Sequence, residues 1–141
     1  MKEPRGARET GAVEGVVRLV PTQKRSRDRF DKILASAEAL LCEKGAEGFR
    51  MSELVERSGV PFGSLYQYFP DKTAVLGTLA ERHNAEGRAC VAAELGALHA
   101  PSDLPVVLAR ITDGFYRMYQ DYPVMRALWQ ATQADPVLQR L

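Results

Sequence analysis

Apolar residues recur every three or four positions along most of this chain, which is the spacing of the buried face of an α-helix. The first stripe of this kind contains six residues: Phe30, Ile33, Leu34, Ala37, Leu40 and Leu41. Ser26 precedes the stripe as a candidate N-terminal cap, and Gly45 follows it where a helix commonly ends in a left-handed conformation. The pattern predicts a long first helix between these two residues.

Two short helices are predicted next, on either side of a turn that contains Gly59. The first covers about Met51–Ser58. The second covers about Phe62–Phe69 and follows Pro61, which suits the start of a helix because its missing N–H would have no helical partner there. A longer helix followed by two short helices around a glycine-containing turn is the minimal helix-turn-helix arrangement.

The remaining residues, 71–141, keep the helical period, and no segment of residues 26–141 alternates between apolar and polar residues like a strand. Three helices are predicted there, at about 71–98, 104–122 and 124–134. Asp135 and Pro136 then look like the cap and first turn of one more helix. Because the chain ends shortly after them, we expect this second domain to be incomplete at its C-terminus.

We therefore expect an all-α protein in three parts. Residues 1–22, with several glycines, prolines and scattered charges, are predicted to be a disordered N-terminal arm, apart from the short apolar stretch at 16–20. Residues 23–70 are predicted to form a three-helix helix-turn-helix head, and residues 71–141 a helical effector domain.

The outer face of the second short helix is polar but uncharged. Leu65 and Phe69 share its inner face, which leaves four residues on the opposite arc: Gly63, Ser64, Tyr66 and Gln67. A helix that only faces solvent would ordinarily carry lysine or glutamate there. A helix that enters the major groove of DNA needs short polar donors near its start, and a glycine permits close approach. This face therefore favours DNA binding.

Single residues of this helix allow more than one interpretation. The amide of Gln67 matches the N6 and N7 groups of adenine, but it can equally bind a phosphate. Phe62, on the flank, can contact a thymine methyl group. Tyr66 and Tyr68 either donate to DNA or pack against neighbouring helices, and the sequence leaves both open.

Charge is distributed unevenly although the net charge is only +1. Six cations stand against two anions, Asp28 and Asp31, near the start of the first helix: Arg18, Lys24, Arg25, Arg27, Arg29 and Lys32. Local charge sets the field that a polyanion experiences, so Lys24, Arg25, Arg27 and Arg29 form a candidate DNA-binding arm. The same residues also suit a solvated arm without a partner.

The segment from Gly59 to Lys72, GVPFGSLYQYFPDK, resembles the signature of the tetracycline-repressor (TetR) family. The block from Ile33 to Val55 has the spacing of that family's first two helices, and the resemblance covers about residues 24–76. It implies a homodimeric bacterial regulator of transcription that binds operator DNA, usually as a repressor. It further implies that a small-molecule effector bound to the C-terminal domain releases the DNA.

The resemblance also implies roles for particular residues. The phosphate-binding lysine of the family corresponds to Lys72, and the start of the second helix, Arg50 to Ser52, meets the DNA backbone. Arg50 departs from the threonine often found there, so we expect it to contact phosphate or a base edge directly. With the face described above, the candidate DNA-binding set is Arg50, Met51, Ser52, Pro61, Phe62, Gly63, Ser64, Tyr66, Gln67, Tyr68 and Lys72.

Other classes of protein fit the sequence less well. The two histidines, His83 and His99, are far apart, and the two cysteines, Cys42 and Cys90, lack metal-ligand spacing and an evident base. No P-loop, GxSxG or HExxH motif occurs, so we expect no catalytic site, no metal and no cofactor. The alternative is a helical protein-interaction module, which would be expected to carry charge on the outer arc of the second short helix.

The sequence also predicts where the protein works and where an effector binds. The chain has no apolar run of membrane-spanning length and no signal peptide, and its cysteines suit reduced thiols, so we expect a cytoplasmic protein. An aromatic and thioether set either lines an effector pocket or forms plain core: Phe115, Met118, Tyr119, Tyr122, Met125 and Trp129. The sequence identifies neither the effector nor the operator, and it does not distinguish a repressor from an activator.

Overall fold

The computed structural model describes the backbone of residues 10–13, 16–19 and 23–140, and the side chains within 23–140. Within these residues the chain forms six α-helices: α1 (Lys24–Gly48), α2 (Met51–Ser58), α3 (Phe62–Tyr68), α4 (Lys72–Gly96), α5 (Leu104–Asp121) and α6 (Pro123–Ala134). Every helix predicted from the apolar period is present, with ends displaced by no more than a few residues. The predicted all-α architecture is confirmed for residues 24–140.

Two short strands occupy part of the N-terminal arm, which was expected to be disordered apart from the apolar stretch at 16–20. β1 (Thr10–Val13) pairs with β2 (Val16–Leu19) in an antiparallel register that sets Thr10 opposite Leu19. β2 lies beside α3 and α4. The prediction of disorder is therefore wrong for Thr10–Val13, whereas β2 lies in the apolar stretch that this prediction excepted. Valine, which favours strands, occurs in both segments. The rest of the predicted arm, 1–9, 14–15 and 20–22, lies outside the described residues.

α1 is interrupted near its end by Gly45, which has φ 68° and ψ 177°. This is the left-handed backbone that the sequence predicted at this glycine, although a last helical turn follows it before Phe49. The predicted cap at Ser26 is wrong, because the helix begins at Lys24 and Gln23 is the residue before it. The Ser26 hydroxyl instead lies 2.6 Å from the hydroxyl of Tyr68.

The core of the head is built from the inner faces of the first three helices. Phe69 is fully buried at the end of α3 and stacks on Phe30, with ring centroids 5.0 Å apart. Leu65 and Leu54 are also fully buried, which fixes the rotation of α3 and α2 about their axes. The opposite face of α3 is consequently turned away from the protein.

α4 and α6 join the head to the second half of the chain. Asp71 caps α4 by accepting a 2.7 Å hydrogen bond from the N–H of Ala74, and residues 74–80 are buried because the head, α5 and α6 surround them. α6 packs along α1. Near its end, Asp135 accepts hydrogen bonds from the Thr73 hydroxyl at 2.9 Å and from the N–H of Val137 at 2.8 Å. The predicted cap at Asp135 is therefore formed, and a 3₁₀ turn follows it at Leu138–Arg140.

The described residues also bear on two other kinds of site. No helix among them is both long and apolar enough to cross a bilayer. No group of three or more histidine, cysteine or acidic side chains comes together among them in a way that would hold a metal ion.

Candidate DNA-binding surface and ligand groove

α3 turns an open, uncharged face to solvent. Phe62, Gly63 and Gln67 are exposed, as is Pro61 before them, and Ser64 is half-buried. A Cβ atom built on Gly63 would meet nothing within 4 Å, so the backbone there is open to close approach. The Gln67 amide bonds to no other described residue. This face therefore keeps its donors and acceptors available for a partner.

An aromatic pair stands at the start of this face. The rings of Phe62 and Tyr66 lie 4.4 Å apart at an interplanar angle of 33°, and Phe62 remains 64% exposed. Tyr66 packs partly against the core, so its ring lies between the core and the Phe62 ring. A large apolar group held outward at a helix start suits contact with a thymine methyl group.

Tyr68 does not belong to the exposed face, which corrects its place in the predicted DNA-binding set. Its side chain is only 7% exposed, and its ring meets Phe30 edge to face at 6.0 Å. Its hydroxyl shares a hydrogen bond with Ser26. Of the two tyrosines, Tyr68 is therefore the one that packs, and it ties the end of α3 to the start of α1.

Two cations meet at the end of α1 although they are distant in sequence. Arg50 donates through Nη1 to the carbonyl oxygens of Glu47 at 2.6 Å and Phe49 at 3.2 Å, and Lys72 donates through Nζ to the carbonyl of Ala46. The last carbonyls of a helix lack helical partners, so these contacts satisfy them. An arginine has five N–H donors and a lysine three, so both side chains keep donors for phosphate.

The start of α2 lies beside these cations. Arg50 occupies the position before α2 and makes no side-chain cap. Ser52 is exposed, whereas Met51 is half-buried against the core. Ser52 can therefore reach a DNA backbone through its hydroxyl, while Met51 offers only its backbone and the edge of its side chain.

The cations of the predicted arm lie in the first turns of α1 and not in a flexible segment. Lys24, Arg25, Arg27 and Arg29 are all exposed, and the first turn contains no acidic residue. Cations at the positive end of a helix dipole reduce stability by roughly 0.3–1 kcal/mol each at low ionic strength. Their position opposes helix stability and favours a polyanionic partner, which supports the phosphate-binding interpretation.

Replacing Lys24, Arg25 and Arg29 together with glutamine should weaken binding to every DNA sequence. Each lost phosphate contact should reduce the slope of log affinity against log salt by about 0.9. Fluorescence anisotropy at several salt concentrations measures this slope. The matched control replaces Arg110, Arg117 and Arg126 of α5 and α6, which removes the same charge elsewhere. Equal slopes for the two triple variants would contradict a role for the α1 cations.

A groove of about 450 Å³ opens between α4, α5 and α6. Four residues of the predicted pocket line it: Phe115, Met118, Tyr119 and Met125. Tyr122 is not among the lining residues and is 55% exposed, because it stands at the junction of α5 and α6. Trp129 lines a neighbouring groove of about 320 Å³ that shares Tyr119 and Met125 with the first.

The polar residues of this groove were not predicted from the sequence. His83, Asn84 and Arg88 reach it from α4. The available signal was that His83 continues the buried row of Leu76, Leu79 and Ala80 at helical spacing. A buried polar residue at the end of an apolar row is a feature that requires an explanation.

Comparison with known proteins agrees with this arrangement. Residues 33–79, which run from α1 into α4, match the family of bacterial regulatory proteins described as the tetR family. The chain is 40% identical over 58 residues to the HTH-type transcriptional repressor NemR of Escherichia coli (strain K12), a match that covers 41% of this chain and 29% of NemR. It is 33% identical over 58 residues to the uncharacterized HTH-type transcriptional regulator YvdT of Bacillus subtilis (strain 168), with 41% and 30% covered. The matched segment spans less than a third of these curated relatives.

Similarity to solved structures extends beyond the head. The TetR family protein CprB from S. coelicolor A3(2) superposes with a TM-score of 0.66 and 28% identity, over 79% of this chain and 56% of CprB. A gamma-butyrolactone receptor described as ArpA-like superposes with a TM-score of 0.64 and 26% identity, over 78% of this chain and 54% of the receptor. The resemblance therefore extends beyond residues 23–70 into the second half of the chain.

Proposed function

We propose that this chain, which matches the tetR family of bacterial regulatory proteins over residues 33–79, is a sequence-specific regulator of transcription that inserts α3 into the major groove of double-stranded DNA. The relatives with which it compares are regulators and not enzymes, in line with the expectation of no catalytic activity.

One observation carries the proposal. The outward face of α3 has no charged residue, leaves Gln67 exposed and is open at Gly63, while cations stand at both ends of α1: Arg50 and Lys72 at its end, and Lys24, Arg25, Arg27 and Arg29 at its start. Uncharged donors at the centre suit base edges, and cations at the margin suit phosphates. A helical protein-interaction module would be expected to carry charge on the central face.

We further propose that the protein is a cytoplasmic repressor, and that a small-molecule effector bound in the α4–α5–α6 groove releases it from the DNA. The names of NemR, a repressor, and of the gamma-butyrolactone receptor support both parts. A gamma-butyrolactone that also carries a hydroxyl group is the first class to test. We expect the protein to act as a homodimer, whose two α3 helices contact half-sites about 34–36 Å apart.

Selection from a random double-stranded DNA pool tests this function. We expect enrichment of a short half-site, and inverted copies one helical turn apart if two chains bind together. Binding that depends on salt but enriches no sequence would contradict sequence-specific recognition. Absence of any DNA binding would favour the protein-interaction module.

Lys72→Met should lower affinity for the selected site and for random DNA by a similar factor, because a phosphate contact carries no sequence information. The salt slope should fall by about one. The control is Lys44→Met, which removes an exposed lysine of the same head that pairs with Glu53. A changed base preference in the Lys72 variant would exclude a pure phosphate role.

A further inference from the structure

His83 connects the groove to α1 through its two ring nitrogens. The residue lies on α4, lines the groove and is only 9% exposed. Its Nδ1 atom is 3.7 Å from Oε2 of Glu86, and its Nε2 atom is 3.8 Å from Oε2 of Glu38 on α1. Both distances exceed hydrogen-bond length. Nε2 is closed to solvent and has no hydrogen-bond partner among the described residues.

A buried ring nitrogen without a partner costs stability, so a state that satisfies it gains. A neutral imidazole has one N–H donor and one acceptor, and the atom that holds the proton depends on the partner of the other nitrogen. A hydrogen bond made to one side of His83 therefore determines what the other side can offer.

We propose that a ligand in the groove donates a hydrogen bond to Nδ1 of His83, and that Nε2–H then donates to the Glu38 carboxylate. His83 is in this way a positioning residue, because a ligand bound at α4 leads to a new hydrogen bond between α4 and α1. The inference rests on the proposed function and specifies how its ligand acts. With the ligand bound, the single proton of the neutral imidazole lies on Nε2, so the ligand selects one of the two neutral tautomers.

The surroundings of His83 specify the chemical class of the ligand. Nδ1 lies beside the Glu86 carboxylate at the edge of the groove. Most of the groove wall is apolar, with Phe115, Met118 and Met125, and Asn84 and Arg88 are its other polar residues. An apolar body that carries a hydroxyl or amine donor fits both features. A ligand that only accepts would require Nδ1–H, which would leave Nε2 as an acceptor facing the Glu38 carboxylate.

α1 connects His83 to the candidate DNA-binding residues. Glu38 lies on the same helix as the basic residues at its start, and Ser26 of that helix is joined to Tyr68 at the end of α3. Burial and the Glu38 carboxylate raise the pKa of the Cys42 thiol one turn later, so that side chain adds no second negative charge beside Glu38. A new bond from His83 would hold α1 to α4 at its midpoint and change the angle between α1 and α3.

Nuclear magnetic resonance of the imidazole nitrogens tests the bond to the ligand. The probes are 4-phenyl-1-butanol and its methyl ether, which share an apolar body but differ in the hydroxyl donor. With the alcohol, we expect the Nδ1 signal of an acceptor and the Nε2 signal of a protonated nitrogen. His99, the only other histidine, is exposed on α4's C-terminal side and serves as the internal reference. Identical His83 spectra with both probes, or a proton on Nδ1, would overturn the proposal.

Variants separate ligand binding from its effect on DNA. His83→Asn keeps an acceptor near Nδ1 but does not reach Glu38, so it should bind the alcohol without changing DNA affinity. Glu38→Gln should also bind the alcohol and show reduced coupling. The wild-type chain and the control Glu94→Gln should show a change in DNA affinity of about fivefold with the alcohol. Equal coupling in all four proteins would overturn the proposal.

Different results would contradict the proposed function and the proposed role of His83. A chain that binds no DNA in the absence of the alcohol contradicts the proposed function, while the nitrogen spectra still decide whether a ligand fixes the tautomer of His83. A chain that binds DNA normally but shows no difference between alcohol and ether contradicts the role of His83 alone.

Discussion

Phe69→Ala should reduce the free energy of unfolding by about 3–5 kcal/mol, as expected for removal of a fully buried aromatic ring. Phe69 is completely inaccessible to solvent and stacks on Phe30, so its loss would leave a cavity between α1 and α3. Because a small protein has a total stability of only about 5–15 kcal/mol, the variant should be partly unfolded under conditions in which the wild-type chain is folded. Urea denaturation followed by circular dichroism measures the change.

Phe62→Ala provides the matched control, because it is the same substitution in the same helix at a side chain that is 64% exposed. Its unfolding free energy should stay within roughly 0.5 kcal/mol of the wild type. Similar losses in both variants would show that the face of α3 assigned to the core is wrong. The control should nevertheless bind the selected DNA site more weakly, since it removes the proposed thymine contact.

Gln67→Ala should weaken binding to the selected site by roughly 1–3 kcal/mol and leave binding to random DNA nearly unchanged. Gln67 lies opposite the buried Leu65 and is exposed, and Gly63, one turn earlier, has no side chain to hold the helix away from the groove floor. Its amide can donate and accept at the same time, which matches the edge of adenine. Competition binding with single-base variants of the site should show relaxed preference at one position in each half-site.

The rival role of Gln67 is a phosphate contact, which the same measurements distinguish. If it binds phosphate, affinities for specific and random DNA should fall together, and base preference should stay the same. Gln130→Ala is the control, because Gln130 is an exposed glutamine on α6 and does not belong to the candidate DNA-binding set. It should change neither affinity.

The helices could be predicted because their signals are local. The apolar period sets which residues face inward, and Gly45 shows the left-handed backbone expected at that glycine. Ser26 shows the limit of local signals, since its hydroxyl bonds to Tyr68, 42 residues away, and not to the backbone of its own helix. β1 was missed because short valine-containing segments also occur in disordered regions.

Some residues of the candidate site could also be assigned from local sequence signals, and others could not. The outward face of α3 follows from the burial of Leu65 and Phe69, so Gln67 could be assigned to it from sequence. The contacts of Arg50 and Lys72 with the end of α1 depend on how three helices meet, and no spacing along the chain indicates them. The same holds for His83, whose polar neighbours come partly from another helix.

The shared core of the head and α6 has a consequence for engineering. Leu128 and Ala131 of α6 belong to the same buried cluster as Ile33 and Leu34 of α1, and Asp135 is bonded to Thr73 just after the head ends. A chimeric regulator that joins this head to a foreign effector domain after Pro70 would lose the surface against which α1 packs. Transplanting the outward residues of α3 into another scaffold would leave that packing intact and is the sounder route to a regulator with exchanged operator specificity.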